Sequence, residues 1–215
     1  MVNMIAMSKP VTASEARLQD ISVPACASSK HTSSAPTLLL MAGFAGAGKT
    51  TLAKRLSTWL HWEVLNKDDL KLQRLANGEE VGLAGWNAFE ELFDLIQEAV
   101  VEKKQSVIID TSNEWPFIIE NILHMQNKLR SLHIYAQLKV ILCVATKETR
   151  TRRLNKRGSV FAPYVHELPT ILDDAELSER FKHLPADKIL TVHTDPPLNT
   201  YDWKVLKQLQ LHDEL

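Results

Sequence analysis

The chain has 215 residues and a formal net charge of −1 at pH 7, and 45% of its residues are hydrophobic. This length and composition suit about one globular domain with an appendage. The balanced charge excludes a global basic footprint for nucleic acid or a membrane surface, and no apolar run approaches the ~20 residues needed to span a bilayer.

Residues 1–36 are rich in Ser, Ala, Thr and Pro without a sustained period, which predicts a flexible N-terminal tail. Cys26 lies in this tail and Cys143 in an apolar run, so we expect no disulfide and a reducing compartment. Residues 212–215 spell an endoplasmic-reticulum retention signal, but residues 1–10 lack the basic start and apolar stretch of a signal peptide. We therefore expect a cytoplasmic protein.

From Thr37 onward the sequence alternates between strand and helix patterns, and residues 37–215 are predicted to form one domain. We predict strands at residues 38–42, 63–66, 106–110, 137–144 and 188–192. We predict helices at residues 51–60, 84–104, 115–132, 147–157, 171–184 and 203–211, and a loop at 158–169. The alternation predicts an α/β fold, a doubly wound parallel five-stranded sheet in a three-layer sandwich with helices on both faces.

Segment 37–51 runs from an apolar strand through a glycine-rich loop into a helix, and Gly43, Gly48, Lys49 and Thr50 fit the phosphate-binding pattern G-x-x-x-x-G-K-[ST]. The glycines let backbone N–H groups fold inward around phosphate oxygens. Lys49 reaches the β and γ phosphates, and the Thr50 hydroxyl can coordinate Mg²⁺. The pattern indicates a P-loop NTPase fold that binds a nucleoside triphosphate. The predicted nucleotide-binding residues are Gly43, Gly46, Ala47, Gly48, Lys49, Thr50 and Thr51.

A polar segment, residues 66–71, directly follows the second predicted strand and so lies near the same sheet edge. Phosphoryl transfer to a hydroxyl needs a carboxylate that accepts the proton of the acceptor. Asp68 is positioned for that role, and Lys71, one helical turn on, could hold the acceptor or its phosphate. Alternatively, Asp68 caps a helix, and Asp69 competes for either role.

Asp110 ends the apolar strand predicted at residues 106–110, where P-loop proteins place the carboxylate that orders Mg²⁺. Thr50 and Asp110 are therefore the predicted metal ligands. The alternative is that Asp110 caps the helix that begins near Trp115. Asn113 either lines the acceptor site or serves as that cap.

A strongly basic helix is predicted at residues 147–157, and Arg150, Arg153 and Arg157 fall on one face of it. Arginines that converge on the γ-phosphate offset the charge that spreads over its oxygens in the transition state. Arg153 and Arg157 are the strongest candidates, because Gly158 ends the helix just beyond them. With the following loop they would form a lid around residues 150–165. The alternative is a solvated basic face.

Taken together, these segments resemble the small P-loop kinases of the polynucleotide 5′-kinase type, with the zeta-toxin-like and AAA-type ATP-binding predicted kinases. That family's pattern runs phosphate loop, Asn-Arg-Asp-Asp-x-Arg, strand-Asp-x-x-Asn, then an Arg-x-x-x-Arg-Gly lid and a Pro. The matching stretches here are residues 43–51, 66–71, 107–113 and 153–158, with Pro163.

The resemblance implies a nucleoside-kinase-like fold, with ATP and Mg²⁺ as cofactors. It implies Asp68 as the general base, and Lys49 and Thr50 as ligands of ATP–Mg²⁺. Arg153 and Arg157 would be the lid arginines. One departure is Lys71, which replaces an arginine on the acceptor side and lacks its bidentate fork.

These observations predict an ATP-dependent phosphotransferase that moves the γ-phosphate of ATP to an acceptor hydroxyl. Lys71 and Asn113 are the predicted substrate-binding residues. The basic loops that grip a nucleic-acid strand are not evident, so a small-molecule hydroxyl substrate is at least as well favoured as a 5′-hydroxyl nucleic-acid end. The alternative is a regulatory ATP-binding module that has no phosphoacceptor.

Overall fold

A computed structural model describes residues 35–111, 116–157 and 189–195, and for residues 116–118 it describes the backbone. All of these residues belong to the unit Ala35–Leu215. The strands described are β1 (Thr37–Ala42), β2 (Glu63–Asn66), β3 (Val107–Asp110), β4 (Gln137–Val144) and β5 (Ile189–His193). The helices described are α1 (Lys49–Leu60), α2 (Lys67–Ala76), α3 (Val81–Gln97), α4 (Pro116–Ser131) and α5 (Lys147–Arg157).

The strands form one five-stranded sheet in the order β2-β3-β1-β4-β5, and every neighbouring pair is parallel. β1 is central: Leu40 pairs with Ile109 of β3 on one side and with Val140 of β4 on the other. After β1 the chain builds one side of the sheet and then crosses to the other. The carboxyl end of β1, where the strand order reverses, is therefore the topological switch point at which open α/β sheets bind ligands. The predicted doubly wound parallel sheet is confirmed.

Every residue of β1 is buried, because helices cover both faces of the sheet. Leu38 and Leu40 belong to the core cluster on one face, which includes residues of α3 and α4. Leu39 and Met41 alternate to the opposite face and pack in a second cluster with residues of α1. The result is the predicted three-layer arrangement.

Helix α2 is an element that the sequence analysis did not define. Asn66 caps it, because its side-chain oxygen accepts hydrogen bonds from the backbone N–H groups of Asp68 and Asp69 at 2.8 and 3.1 Å. Both aspartates therefore lie in the first turn, where negative charge suits the helix dipole. The alternative in which Asp68 or Asp69 itself caps the helix is wrong.

Two predicted helix boundaries need correction. α1 begins at Lys49, two residues earlier than predicted, because the last loop glycine, Gly48, leads directly into it. The helix predicted at 84–104 begins at Val81, where the Glu80 side chain accepts a hydrogen bond from the N–H of Leu83. It continues past Gln97 as a π-helical turn, Glu98–Glu102. The helices predicted at 171–184 and 203–211, and the loop at 158–169, lie outside the described residues.

The central strand supplies a test of the core. Leu40 is fully buried, whereas Leu83 on α3 is 52% exposed. Replacing Leu40 with Ala should lower the free energy of unfolding by about 2–5 kcal/mol, since it removes buried methyl groups and leaves a cavity. The matched control, Leu83→Ala, should change it by less than about 0.5 kcal/mol. Urea unfolding of both variants measures the difference, and equal shifts would contradict the assigned packing.

Candidate active site

The loop between β1 and α1 depends on three glycines, Gly43, Gly46 and Gly48, whose φ angles are 129°, 78° and 90°. Residues that carry a Cβ atom rarely adopt such φ angles. A Cβ atom on Gly43 would lie 2.4 Å from the carbonyl oxygen of Cys143 in β4. A Cβ atom on Gly46 would lie 2.9 Å from the carbonyl oxygen of Arg150 in α5. The loop therefore fits closely against β4 and α5, and the pattern of glycines has a steric reason.

Lys49, the lysine of the phosphate-binding pattern, folds over the loop that precedes it. Its ammonium group donates hydrogen bonds to the carbonyl oxygens of Gly43 and Phe44 at 2.8 and 3.1 Å. The N–H of Ala47 also donates to the Phe44 carbonyl at 3.1 Å. The cationic group thus lies within the turn of the loop, at the end of β1 where phosphates would bind.

Asp110 ends β3 next to this loop and is 2% exposed. Its Oδ2 accepts a hydrogen bond from the side-chain amide of Asn66 at 2.7 Å, and its carboxylate also accepts one from the side chain of Thr50. Burial raises the pKa of Asp110, opposed by the Thr50 hydrogen bond and the charge of Lys49. The two predicted metal ligands are therefore in contact.

The contact between Thr50 and Asp110 suits Mg²⁺, which prefers hydroxyl and carboxylate oxygens and keeps several water or phosphate ligands. Across residues 35–111, 116–157 and 189–195, no group of three His, Cys, Asp or Glu side chains could hold a metal. Thr50 and Asp110 could hold a magnesium ion together with nucleotide phosphates and water.

Asp68 lies in the first turn of α2, and its carboxylate pairs with the ammonium group of Lys67 at 2.9 Å. Its negative charge helps to raise the pKa of Asp110, so the two carboxylates are within electrostatic reach. Asn66 connects them, since it caps α2 and also donates to Asp110. Asp69 is exposed. The start of α2, which carries Asp68, is thus linked through Asn66 to the predicted metal ligand Asp110.

The acceptor side is formed by the next turn of α2. Lys71 is half-buried, and burial together with the charge of Lys67 lowers the pKa of Lys71, opposed by the charges of Asp68 and Glu80. Lys67 itself is buried, with its ammonium group 5.0 Å from the centre of the Phe89 ring on α3. Two cations thus lie beside Asp68. Asn113, the other predicted substrate-binding residue, lies outside the described residues.

The three arginines that the sequence places on one face of α5 have different surroundings. Arg150 is buried; its Nε donates to the Ala145 carbonyl at 3.2 Å and its guanidinium group lies 5.2 Å from the centre of the Phe44 ring. Arg153 is half-buried and donates to the Gly46 carbonyl at 3.1 Å. Arg157 is exposed at the end of the helix. Residues 158–165 of the predicted lid lie outside the described residues.

Thr194, directly after β5, is a site residue that the sequence analysis missed. It is fully buried, and its hydroxyl donates to the carbonyl of Ala47 in the loop at 2.8 Å. Arg153 donates to the same hydroxyl at 3.0 Å and also to the Thr194 carbonyl. The one signal in the sequence is its place after the last strand, where the carboxyl edge of the sheet is expected.

The sheet order, the glycine loop at its switch point and the Thr50–Asp110 contact define a P-loop nucleotide-binding domain. The chain belongs to the AAA domain family, whose model matches residues 38–163. A comparison with curated proteins found no match. Within the described part of the chain, no helix is long and apolar enough to cross a membrane.

Solved structures of other proteins share this fold, among them two that are described as kinases. A candidate kinase from Chloroflexus aurantiacus matches at a TM-score of 0.59 and 24% identity, with 82% of this chain and 98% of that chain covered. A sugar kinase from Janibacter sp. matches at a TM-score of 0.53 and 17% identity, with 82% and 95% covered. At these identities the likeness establishes the fold.

The loop glycines supply a second test. Gly43 and Gly78 both have positive φ, at 129° and 84°, but only Gly43 would press a Cβ onto a neighbour; around Gly78 the space within 4 Å is open. Gly78→Ala should cost about 1 kcal/mol of unfolding free energy, from backbone strain alone. Gly43→Ala should cost about 2 kcal/mol more, since the Cys143 carbonyl must move. Denaturant unfolding measures both, and a larger loss at Gly78 would contradict the loop geometry.

Proposed function

We propose that the protein is an ATP-dependent phosphotransferase that moves the γ-phosphate of ATP to an acceptor hydroxyl. The observation that supports this best is the convergence of three groups at one sheet edge: the phosphate loop, the Thr50–Asp110 pair that it contacts, and Asp68 within electrostatic reach of that pair. A phosphate site, a metal site and a base are what transfer to an alcohol requires. The kinase descriptions of the two structures that share the fold support the same enzyme class.

In this proposal the loop holds the triphosphate. Backbone N–H groups of residues 43–51 bind the β and γ phosphates, and the Lys49 ammonium exchanges its carbonyl partners for phosphate oxygens. Thr50 and Asp110 would hold Mg²⁺, which neutralises phosphate charge when bound. Arg157, exposed at the end of α5, supplies a guanidinium group to the terminal phosphate. Arg153 already binds Gly46 and Thr194, so we assign it to the loop itself.

Asp68 acts as the general base. The acceptor oxygen attacks the terminal phosphorus, and the proton of the acceptor hydroxyl passes to the Asp68 carboxylate. The bond between that phosphorus and the bridging oxygen breaks, and ADP leaves. The ion pair with Lys67 and the Asn66 cap at the start of α2 hold the carboxylate in place. Lys71, one turn along α2, and Asn113 would contact the acceptor.

The acceptor we propose is a small hydroxylated molecule. The net charge of −1 offers no general attraction to a polynucleotide, and one structure with this fold is described as a sugar kinase. A 5′-hydroxyl nucleic-acid end is the competing acceptor. Incubation with γ-labelled ATP and either pooled hydroxylated metabolites or a 5′-hydroxyl oligonucleotide, followed by mass spectrometry, distinguishes the two.

The assignment of the base has a matched control in the next residue. Asp68→Asn should lower phosphoryl transfer by about 10²–10⁴-fold, since it removes the proton acceptor, and should leave ATP affinity within about twofold. Asp69→Asn makes the same change of charge on an exposed side chain and should leave transfer nearly unchanged. Initial rates with the acceptor found above and ATP titration calorimetry supply the two measurements.

Equal loss in the two variants, or none in Asp68→Asn, would remove Asp68 from the mechanism. If the protein binds ATP but labels neither the metabolite pool nor the oligonucleotide, the regulatory ATP-binding module becomes the better description. In that case Asp68→Asn should change neither nucleotide affinity nor any slow hydrolysis.

A further inference from the structure

The conformation of the phosphate loop imposes a constraint on its backbone carbonyl groups, which the sequence motif does not specify. Backbone N–H groups that converge on a phosphate force the carbonyl groups of the same peptides to face outward. Outward carbonyls that are shielded from water need donors, because an unsatisfied buried carbonyl is costly. The described structure shows which groups outside the loop supply them.

Two consecutive loop carbonyls, those of Gly46 and Ala47, are satisfied from outside the loop. Arg153 donates to the Gly46 carbonyl at 3.1 Å, and the Thr194 hydroxyl donates to the Ala47 carbonyl at 2.8 Å. Arg153 also donates to the Thr194 hydroxyl at 3.0 Å, so the two side chains form one unit. We propose that Arg153 and Thr194 act as a clasp that fixes the nucleotide-binding shape of the loop, with Arg153 as a positioning residue rather than a ligand of the γ-phosphate.

The clasp is built on rigid elements. The Thr194 N–H donates to the Val144 carbonyl at 2.8 Å, which continues the pairing of β5 with β4. Asp195 accepts hydrogen bonds from the N–H and the hydroxyl of Thr146, at 3.0 and 3.2 Å, just before α5 begins. The residues after β5 therefore anchor both the start of α5 and the arginine two turns along it.

The position of the Arg153 guanidinium group supports a role in holding the shape of the loop. A Cβ atom on Gly48 would lie 3.5 Å from the Thr194 hydroxyl and 3.6 Å from an Arg153 nitrogen, so the clasp lies against the start of α1. Three of the five N–H donors of the Arg153 guanidinium group are committed to Gly46 and Thr194, which ties the group to the loop and to the end of β5. Arg157, four residues on, is exposed at the end of α5.

A clasp and a γ-phosphate ligand predict different nucleotide preferences. A residue that shapes the loop affects every nucleotide with a β-phosphate, so the loss of affinity should be the same for ATP and ADP. A ligand of the γ-phosphate affects ATP alone. The inference rests on the proposed nucleotide site, but this test measures binding and needs no acceptor.

The experiment is calorimetric titration of the full chain with ATP and with ADP. Arg153→Ala should weaken both nucleotides by about 10–100-fold, the range expected for hydrogen bonds from a charged group. Thr194→Val should weaken both by about 3–10-fold. In the double variant the loss should be smaller than the product of the two single losses, because the two side chains act as one unit.

Two control variants separate the clasp from general damage. Arg152→Ala removes the same charge from an exposed neighbour on α5 and should leave both affinities within about twofold. Thr194→Ser keeps the hydroxyl and should bind both nucleotides as the unaltered protein does. Should Arg153→Ala fail to unfold cooperatively on heating, the comparison of Thr194→Val with Thr194→Ser carries the test.

The clasp is refuted if Arg153→Ala weakens ATP but not ADP, if its effect and that of Thr194→Val multiply independently, or if the Val and Ser variants bind alike. None of these outcomes affects the proposed phosphotransfer, which depends on Asp68. Conversely, undiminished transfer by Asp68→Asn would remove the proposed function and leave the clasp in place.

Discussion

The structure depends on a short backbone segment that must aim its N–H groups inward and therefore its carbonyl groups outward. The glycines permit that conformation, but hydrogen bonds to the carbonyls hold it. Lys49 and the N–H of Ala47 donate to the first carbonyls of the loop, and Arg153 and Thr194 donate to the later ones. The phosphate site is thus a product of the central strand, of α5 and of the residues after β5 together.

A second convergence places the acidic groups. Asn66 is the residue that joins them, since the oxygen of its side-chain amide caps α2 and the nitrogen donates to Asp110 on the neighbouring strand β3. The position of Asp68 is therefore linked to that of the predicted metal ligand. Lys67, held over Phe89, pairs with Asp68. Each carboxylate has a cation of its own nearby, Lys49 for Asp110 and Lys67 for Asp68, which offsets the repulsion between the two carboxylates.

The basic helix α5 shows the limits of helical periodicity. Spacing alone places Arg150, Arg153 and Arg157 on one face, and the face does point toward the loop at its buried end. The spacing does not show which guanidinium groups are used in packing and which remain available to bind a ligand. That depends on the neighbouring elements. Arg150 packs on Phe44, Arg153 binds the loop and β5, and Arg157 is exposed. One motif supplies three different environments.

The sequence by itself determined the elements and their class. The fully apolar strand at 38–42, the alternation that follows and the spacing of Gly43, Gly48 and Lys49 were sufficient, because local periodicity and backbone sterics decide these features. Helix α2 was not predicted, although Asn66, which caps it, is a favoured N-cap residue. What only the tertiary structure decided is which distant groups meet: Thr194 lies 147 residues from Ala47 and carries no motif. Such contacts are set by the order of strands in the sheet, which no local pattern records.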